Sequence, residues 1–174
     1  MYTPIVATLG YVMSEDKQQT LLVHRTSRSN DAHYGKYNGL GGKMEARESI
    51  HDCICREIRE EAGIVCEEVI LRGTINWTGF GPAGEDWFGF IYRIDTFSGT
   101  PVLQNSEGSL LWYDVDKLLE LPMWEGDKYF LPLVFDDLGL AAVPGMTVKV
   151  AQQIAERDQG AVVSLREPSD EEDW

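Results

Sequence analysis

Three glutamates of the 174-residue chain are spaced for chemistry: Glu57, Glu60 and Glu61, at i, i+3 and i+4. They fall near the end of a stretch, residues 42–64, that reads GKMEARESIHDCICREIREEAGI. If the stretch is helical, a rotation of about 100° per residue puts Ile50, Cys53 and Ile54 on one face, suited to a core. One turn later that same face carries the three glutamates, whereas a solvated charged face would put them on the opposite side. Unit charges ~4 Å apart repel by ~1 kcal/mol in water and by ~4 kcal/mol at an effective dielectric of about 20. Carboxylates crowded beside a core therefore need protons or a cation, and a hard divalent ion with oxygen ligands is the simplest remedy.

The elements that must position these acids are legible around them. Ser49, with Asp52 three residues on, is a helix-capping signal, and Gly63 supplies the stop. Residues 5–13 and 20–25 read as strands joined by the polar turn 14–19, and 30–43 as a Gly-rich polar loop entering the helix. Residues 66–78 and 86–97 alternate as strands around a Gly/Pro turn at 79–84. A short strand at 109–113 precedes a short helix at 115–121, stopped by Pro122; a second helix at 128–137 is interrupted at Pro132. Residues 146–153 and 161–165 fit a final hairpin, and 148–157 fits a helix equally well. Mixing without strict alternation predicts an α/β (α+β) sandwich rather than a doubly wound fold. The expected organisation is one domain at 1–140, a C-terminal extension packed on it at 141–165, and a disordered acidic tail at 166–174.

Composition narrows the function classes. With 43% hydrophobic and 25% charged residues, the chain has the makeup of a soluble domain able to bury a core. Its apolar runs are short of a membrane span, and MYTPIVATLG lacks the basic n-region of a signal peptide, so the expected location is cytoplasmic. A net charge of −14 argues against nucleic-acid polymers and anionic membranes as partners. An anionic small molecule remains compatible if metal ions mask the site. Cys53, Cys55 and Cys66 are odd in number and give no disulfide framework; Cys53 and Cys55 point in different directions on a helix and read as core or boundary residues. His24, His33 and His51 carry no ligand spacing and receive no role.

Gly42, then five residues, Glu48, then seven, then Arg56-Glu57-Ile58-Arg59-Glu60-Glu61-Ala62-Gly63-Ile64 matches the Nudix box, G-x5-E-x7-R-E-U-x-E-E-x-G-U, without a departure. Nine specified positions over twenty-three residues make a specific pattern. The resemblance implies a Nudix fold, an α/β/α sandwich around a mixed sheet, and hydrolysis of a nucleoside diphosphate linked to another group. It further implies that Glu57, Glu60 and Glu61 bind Mg²⁺ (Mn²⁺ as a substitute), with the Gly41 carbonyl as an additional ligand. Mg²⁺ suits such a site because it combines few carboxylates with waters and substrate phosphates. An Arg56–Glu48 contact is expected to orient the loop. Several Nudix enzymes place an acid before the strand corresponding to 109–113, which makes Glu107 a candidate metal ligand or general base.

Outside the box, Lys36-Tyr37-Asn38-Gly39-Leu40-Gly41-Gly42-Lys43 and Met123-Trp124-Glu125-Gly126-Asp127 resemble the loop and base-binding segment of MutT-type 8-oxo-dGTP diphosphatases. The implied substrate contacts are Asn38, Leu40, Gly41, Gly42, Lys43, Arg25, Trp124 and Asp127. Trp124 offers a stacking face, Asp127 can accept from a guanine N1–H and N2–H₂ edge, and Asn38 can donate or accept at O6 or N7. Lys43 and Arg25 are the candidate phosphate contacts, and the aromatics of 87–92 are expected in the core. Other Nudix substrates, such as ADP-ribose, a dinucleoside polyphosphate, an mRNA cap or ordinary NTPs, are the enzymatic alternatives. A catalytically silent nucleotide-binding module is the alternative from another class.

Overall fold

The computed structural model describes residues 1–27, 33–80 and 83–136, and the backbone of a last strand, Val162–Leu165. In chain order the elements are β1 (Ile5–Met13), β2 (Gln19–Arg25), β3 (Tyr37–Asn38), α1 (Ile50–Ala62), β4 (Val65–Trp77), β5 (Trp87–Ser98), β6 (Gly108–Asp114), a 3-10 helix (Val115–Glu120), α2 (Asp127–Val134) and β7 (Val162–Leu165). The described strands form one seven-stranded mixed sheet in the order β3-β2-β1-β5-β4-β7, with β6 also paired to β2. β1 runs parallel to β5, from Ile5 opposite Trp87 to Val12 opposite Ile94, and the other ladders are antiparallel.

Alternation along the strands divides the core between the two faces of this sheet. Val12, Leu21, Val23 and Ile94 point toward α1 and meet Ile54, Ile58 and Ala62. Tyr11, Met13, Leu22 and Ile91 point the other way and meet Leu118 of the 3-10 helix and Phe130, Leu131 and Val134 of α2. The result is the three-layer sandwich expected from the sequence. Each fully buried Leu or Ile contributes about 1.5–3 kcal/mol of transfer free energy, so both helices are anchored by several such side chains.

Local signals set the ends of α1. Ser49 and Asp52 form a reciprocal capping box, and Gly63 closes the helix in the left-handed region at φ 73°, its N–H donating to the Arg59 carbonyl. The second helix corrects one expectation: α2 runs through Pro132 rather than breaking there. It ends two residues later, so Pro132 withholds a donor only near the helix end, and the guanidinium groups of Arg72 and Arg93 donate to the last carbonyls, Leu133 (3.0 Å) and Val134 (3.3 Å). β3, inside the stretch expected to be loop, pairs with Val23 and His24. β7 pairs with Gly73–Asn76 of β4. The expected partner 146–153, the alternative helix 148–157, the remainder of the 141–165 extension and the tail 166–174 lie outside the described residues.

Candidate active site

The acid helix is pinned beside β1 by the loop that precedes it. Leu40 exchanges backbone hydrogen bonds with Gly10 (2.6 and 2.9 Å), Thr8 N–H donates to the Gly42 carbonyl (2.9 Å), and Met44 N–H donates to Val6 (2.9 Å). The loop thus covers the half of the β1 edge that β2 leaves unpaired. This close passage requires glycine. Gly41 has φ 151°, and a Cβ there would lie 2.2 Å from the Thr8 carbonyl oxygen. A Cβ on Gly42 would lie 2.6 Å from both carboxylate oxygens of Glu57, so that carboxylate rests against bare backbone.

The three box acids do not share one environment. The Glu57 side chain is only 14% exposed, whereas that of Glu60 is 60% exposed, which corrects the expectation that all three face the interior. Glu60 sits about 100° around the helix from Glu61, on the solvent rim where Arg56 meets it. Glu61 is the most enclosed: its Oε2 accepts from the Gly41 N–H (3.2 Å). Burial, the neighbouring Glu107 and Glu57 carboxylates, and too little compensation from Gly41 and Arg25 push its carboxyl up to about 8. Burial also raises Glu57, against the lowering effect of Arg56.

Arg56 ties the site together. Its Nε and Nη2 donate to both oxygens of Glu48 (3.0 and 2.9 Å), Nη2 also reaches the Lys43 carbonyl (3.1 Å), and Nη1 donates to Glu57 (2.8 Å). The expected Arg56–Glu48 contact is present, and it extends to Glu57. Those hydrogen bonds hold the Glu48 carboxyl down at about 2. At the end of the helix, Asn105 latches the loop before β6 to it: its Nδ2 donates to the Glu61 carbonyl (3.3 Å), and its Oδ1 accepts from the N–H groups of Glu107 (2.9 Å) and Gly108 (3.1 Å). Glu107 is thereby brought toward Glu61, where it forms an ion pair with Arg25. Arg25, expected at phosphate, is thus engaged by a carboxylate.

These oxygens suit a hard divalent cation. A buried carboxyl that holds its proton to about pH 8 beside two further carboxylates is a place where a cation can replace that proton. Among the described residues no three Asp, Glu, His or Cys side chains converge closely enough to hold a metal ion by themselves. The donor set fits an ion that keeps positions for water and phosphate oxygens.

The remaining candidates gather in an aromatic corner. Trp124 donates its indole N–H to His33 Nδ1 (2.9 Å), the Asn38 amide nitrogen lies 3.2 Å from the same atom, and Lys36 Nζ sits 4.6 Å from the Trp124 ring centroid. Phe80 meets Trp124, Trp87 and His33 edge-on. Lys43, at the box end, has its Nζ 4.9 Å from the Trp87 centroid. Trp87 therefore belongs to this corner as well as to β5. Asp127 starts α2; burial pushes its carboxyl up to about 7, against lowering by the Trp124 backbone and Lys36. His33, Lys36 and Phe80 were missed in the sequence because no spacing links them to Trp124.

A family model described as NUDIX domain matches residues 3–134, the box included. This chain belongs to the Nudix hydrolase family. The Nudix chain is 36% identical over 104 residues to "Uncharacterized Nudix hydrolase YvcI" of Bacillus subtilis, covering 58% of this chain and 65%, just under two thirds, of that protein. It is 31% identical over 125 residues to "Oxidized purine nucleoside triphosphate hydrolase" of Danio rerio, covering 70% of this chain and 79% of that one. Among solved structures, the mutator MutT protein of Bacillus halodurans superposes with a TM-score of 0.62 at 32% identity, over 73% of this chain and 79% of that one. No helix among the described residues is long and apolar enough to cross a membrane.

Proposed function

We propose that this Nudix hydrolase cleaves an oxidised purine nucleoside triphosphate, 8-oxo-dGTP foremost, to the monophosphate and pyrophosphate, with Mg²⁺ or Mn²⁺ held by Glu57, Glu60, Glu61, Glu107 and the Gly41 carbonyl. The observation carrying this reading is that acids and aromatics flank one loop. Residues 41–43 touch the acid helix, while Lys36 and Asn38 touch the Trp124 corner. A nucleoside triphosphate has the same two-ended chemistry. The name of the Danio rerio relative supports the choice of nucleotide.

When bound, the ion supplies charge neutralisation and Lewis-acid polarisation of the phosphates. The chain supplies the rest. Glu60, Glu61 and Glu107 are the carboxylates from which the base for the attacking water comes. Arg56 holds Glu57 in place, and the Leu40–Lys43 backbone and Lys43 side chain face the phosphates. Trp124 stacks on the base, Asp127 accepts from its N–H edge when ionised, and Asn38 completes the polar rim. Clearing oxidised precursors from the nucleotide pool would place the enzyme in the cytoplasm.

The test is pyrophosphate release over a nucleotide panel at matched low concentrations, in Mg²⁺ and in EDTA. The expected result is metal-dependent turnover that favours 8-oxo-dGTP over dGTP and is abolished in Glu57→Gln with the fold intact. Preference for ADP-ribose or a dinucleoside polyphosphate would overturn the substrate. Wild-type kcat in Glu57→Gln would overturn the metal assignment.

A further inference from the structure

Two proposed base contacts converge on one atom. The Trp124 indole nitrogen and the Asn38 amide nitrogen lie 2.9 Å and 3.2 Å from His33 Nδ1. An indole nitrogen only donates, so Nδ1 must carry a lone pair and the ring proton must sit on Nε2. The same constraint settles the Asn38 amide. A carbonyl oxygen facing a bare Nδ1 would set lone pair against lone pair, so the group facing His33 is the NH₂. The amide carbonyl is thereby the Asn38 atom left for a ligand, and it accepts no hydrogen bond among the described residues. The imidazole is itself packed edge-on against Trp124 (5.5 Å, 83°) and Phe80 (5.7 Å, 67°), which restricts its rotation.

We propose that His33 is a specificity-positioning residue: through one nitrogen it orients both the Trp124 indole and the Asn38 amide, so that a carbonyl acceptor meets the base and selects purines bearing N–H at position 7. This rests on the reading above, in which Trp124 and Asn38 line the base site. Guanine presents a bare acceptor at N7, which a carbonyl repels, whereas the 8-oxo form presents a donor there. Without the Nδ1 acceptor the amide is free to turn its NH₂ toward the ligand, and discrimination is lost.

The experiment compares kcat/KM for 8-oxo-dGTP and dGTP in wild type, His33→Phe and His33→Gln, and records ¹⁵N spectra of the His33 ring and the Trp124 indole. His33→Phe keeps a flat ring and removes the acceptor. It is expected to lower the 8-oxo-dGTP/dGTP ratio roughly tenfold or more, mainly through KM, because the Asn38 amide loses the partner that fixes its orientation. His33→Gln, whose carbonyl can accept from both donors, is expected to recover most of the ratio. Wild type is expected to show the Nε2–H tautomer, and His33→Phe a displaced Trp124 indole N–H resonance. A wild-type preference that persists unchanged in His33→Phe, or an Nδ1–H tautomer, overturns the inference while leaving the substrate reading intact. A wild-type ratio near one overturns the substrate reading and the selectivity role together; the two spectra then decide the positioning role by themselves.

Discussion

Replacing Glu61 with Gln should destroy turnover yet stabilise the metal-free protein at alkaline pH. Glu61 is a raised carboxyl: its folded value is about 8 against an ordinary 4.5, because burial and the Glu57 and Glu107 carboxylates oppose its ionisation. The folded state therefore binds more protons than the unfolded state between those values, and stability falls as pH rises through that window. Each pH unit is worth about 1.4 kcal/mol, so the ceiling above pH 8 is about 5 kcal/mol. Solvent relaxation brings the realised figure to roughly 2–3 kcal/mol. The amide of Gln can still accept from the Gly41 N–H, so the substitution removes the charge and keeps the hydrogen bond. The assay is urea unfolding of wild type and Glu61→Gln in EDTA from pH 5 to 8.5. The variant should gain on wild type as pH rises, with the two converging near pH 4.5. Adding Mg²⁺ should raise the wild-type midpoint at pH 8 and leave the variant nearly unmoved. If the stability difference between the two proteins stays constant across this range in EDTA, the account of Glu61 as a carboxyl ionised only at the expense of the fold is wrong.

The two loop glycines should separate fold from function. Gly42→Ala pushes only on the Glu57 carboxylate, the end of a flexible side chain, so unfolding should change by less than about 1 kcal/mol while kcat/KM falls at least roughly tenfold. Gly41→Ala collides with the β1 backbone at a left-handed φ, and its unfolding free energy in denaturant titration should drop by about 2 kcal/mol or more. Equal behaviour of the pair would contradict the packing. For Trp124→Ala, loss of a stacking face worth ~1–3 kcal/mol should raise the purine nucleotide KM roughly five- to a hundredfold with a smaller change in kcat, measured by pyrophosphate release.

The helix that carries the acids was legible residue by residue. Ser49 and Asp52 cap it and Gly63 ends it, because caps and stops are local hydrogen-bond arrangements between residues within a turn of one another. The two-faced core was legible for the same reason, since strand alternation already sorts Tyr11 and Met13 from Val12. Periodicity resolves a helix face only coarsely, so it could not tell the enclosed Glu61 from Glu60 on the rim one residue away. That distinction depends on the Gly41 N–H reaching one and Arg56 reaching the other. The parallel pairing of β1 with β5, the Arg25–Glu107 ion pair across 82 residues and the Trp124–His33 hydrogen bond across 91 carry no local signature. Chain entropy leaves such distant partners undecided until the sheet brings β2, β6 and the segment before α2 into register. The sequence alone therefore determined the acid helix with its caps, the box, and the two faces of the main strands. The folded sheet decided which acids are buried, what Arg25 is paired with, and that an unassigned histidine organises the aromatic corner.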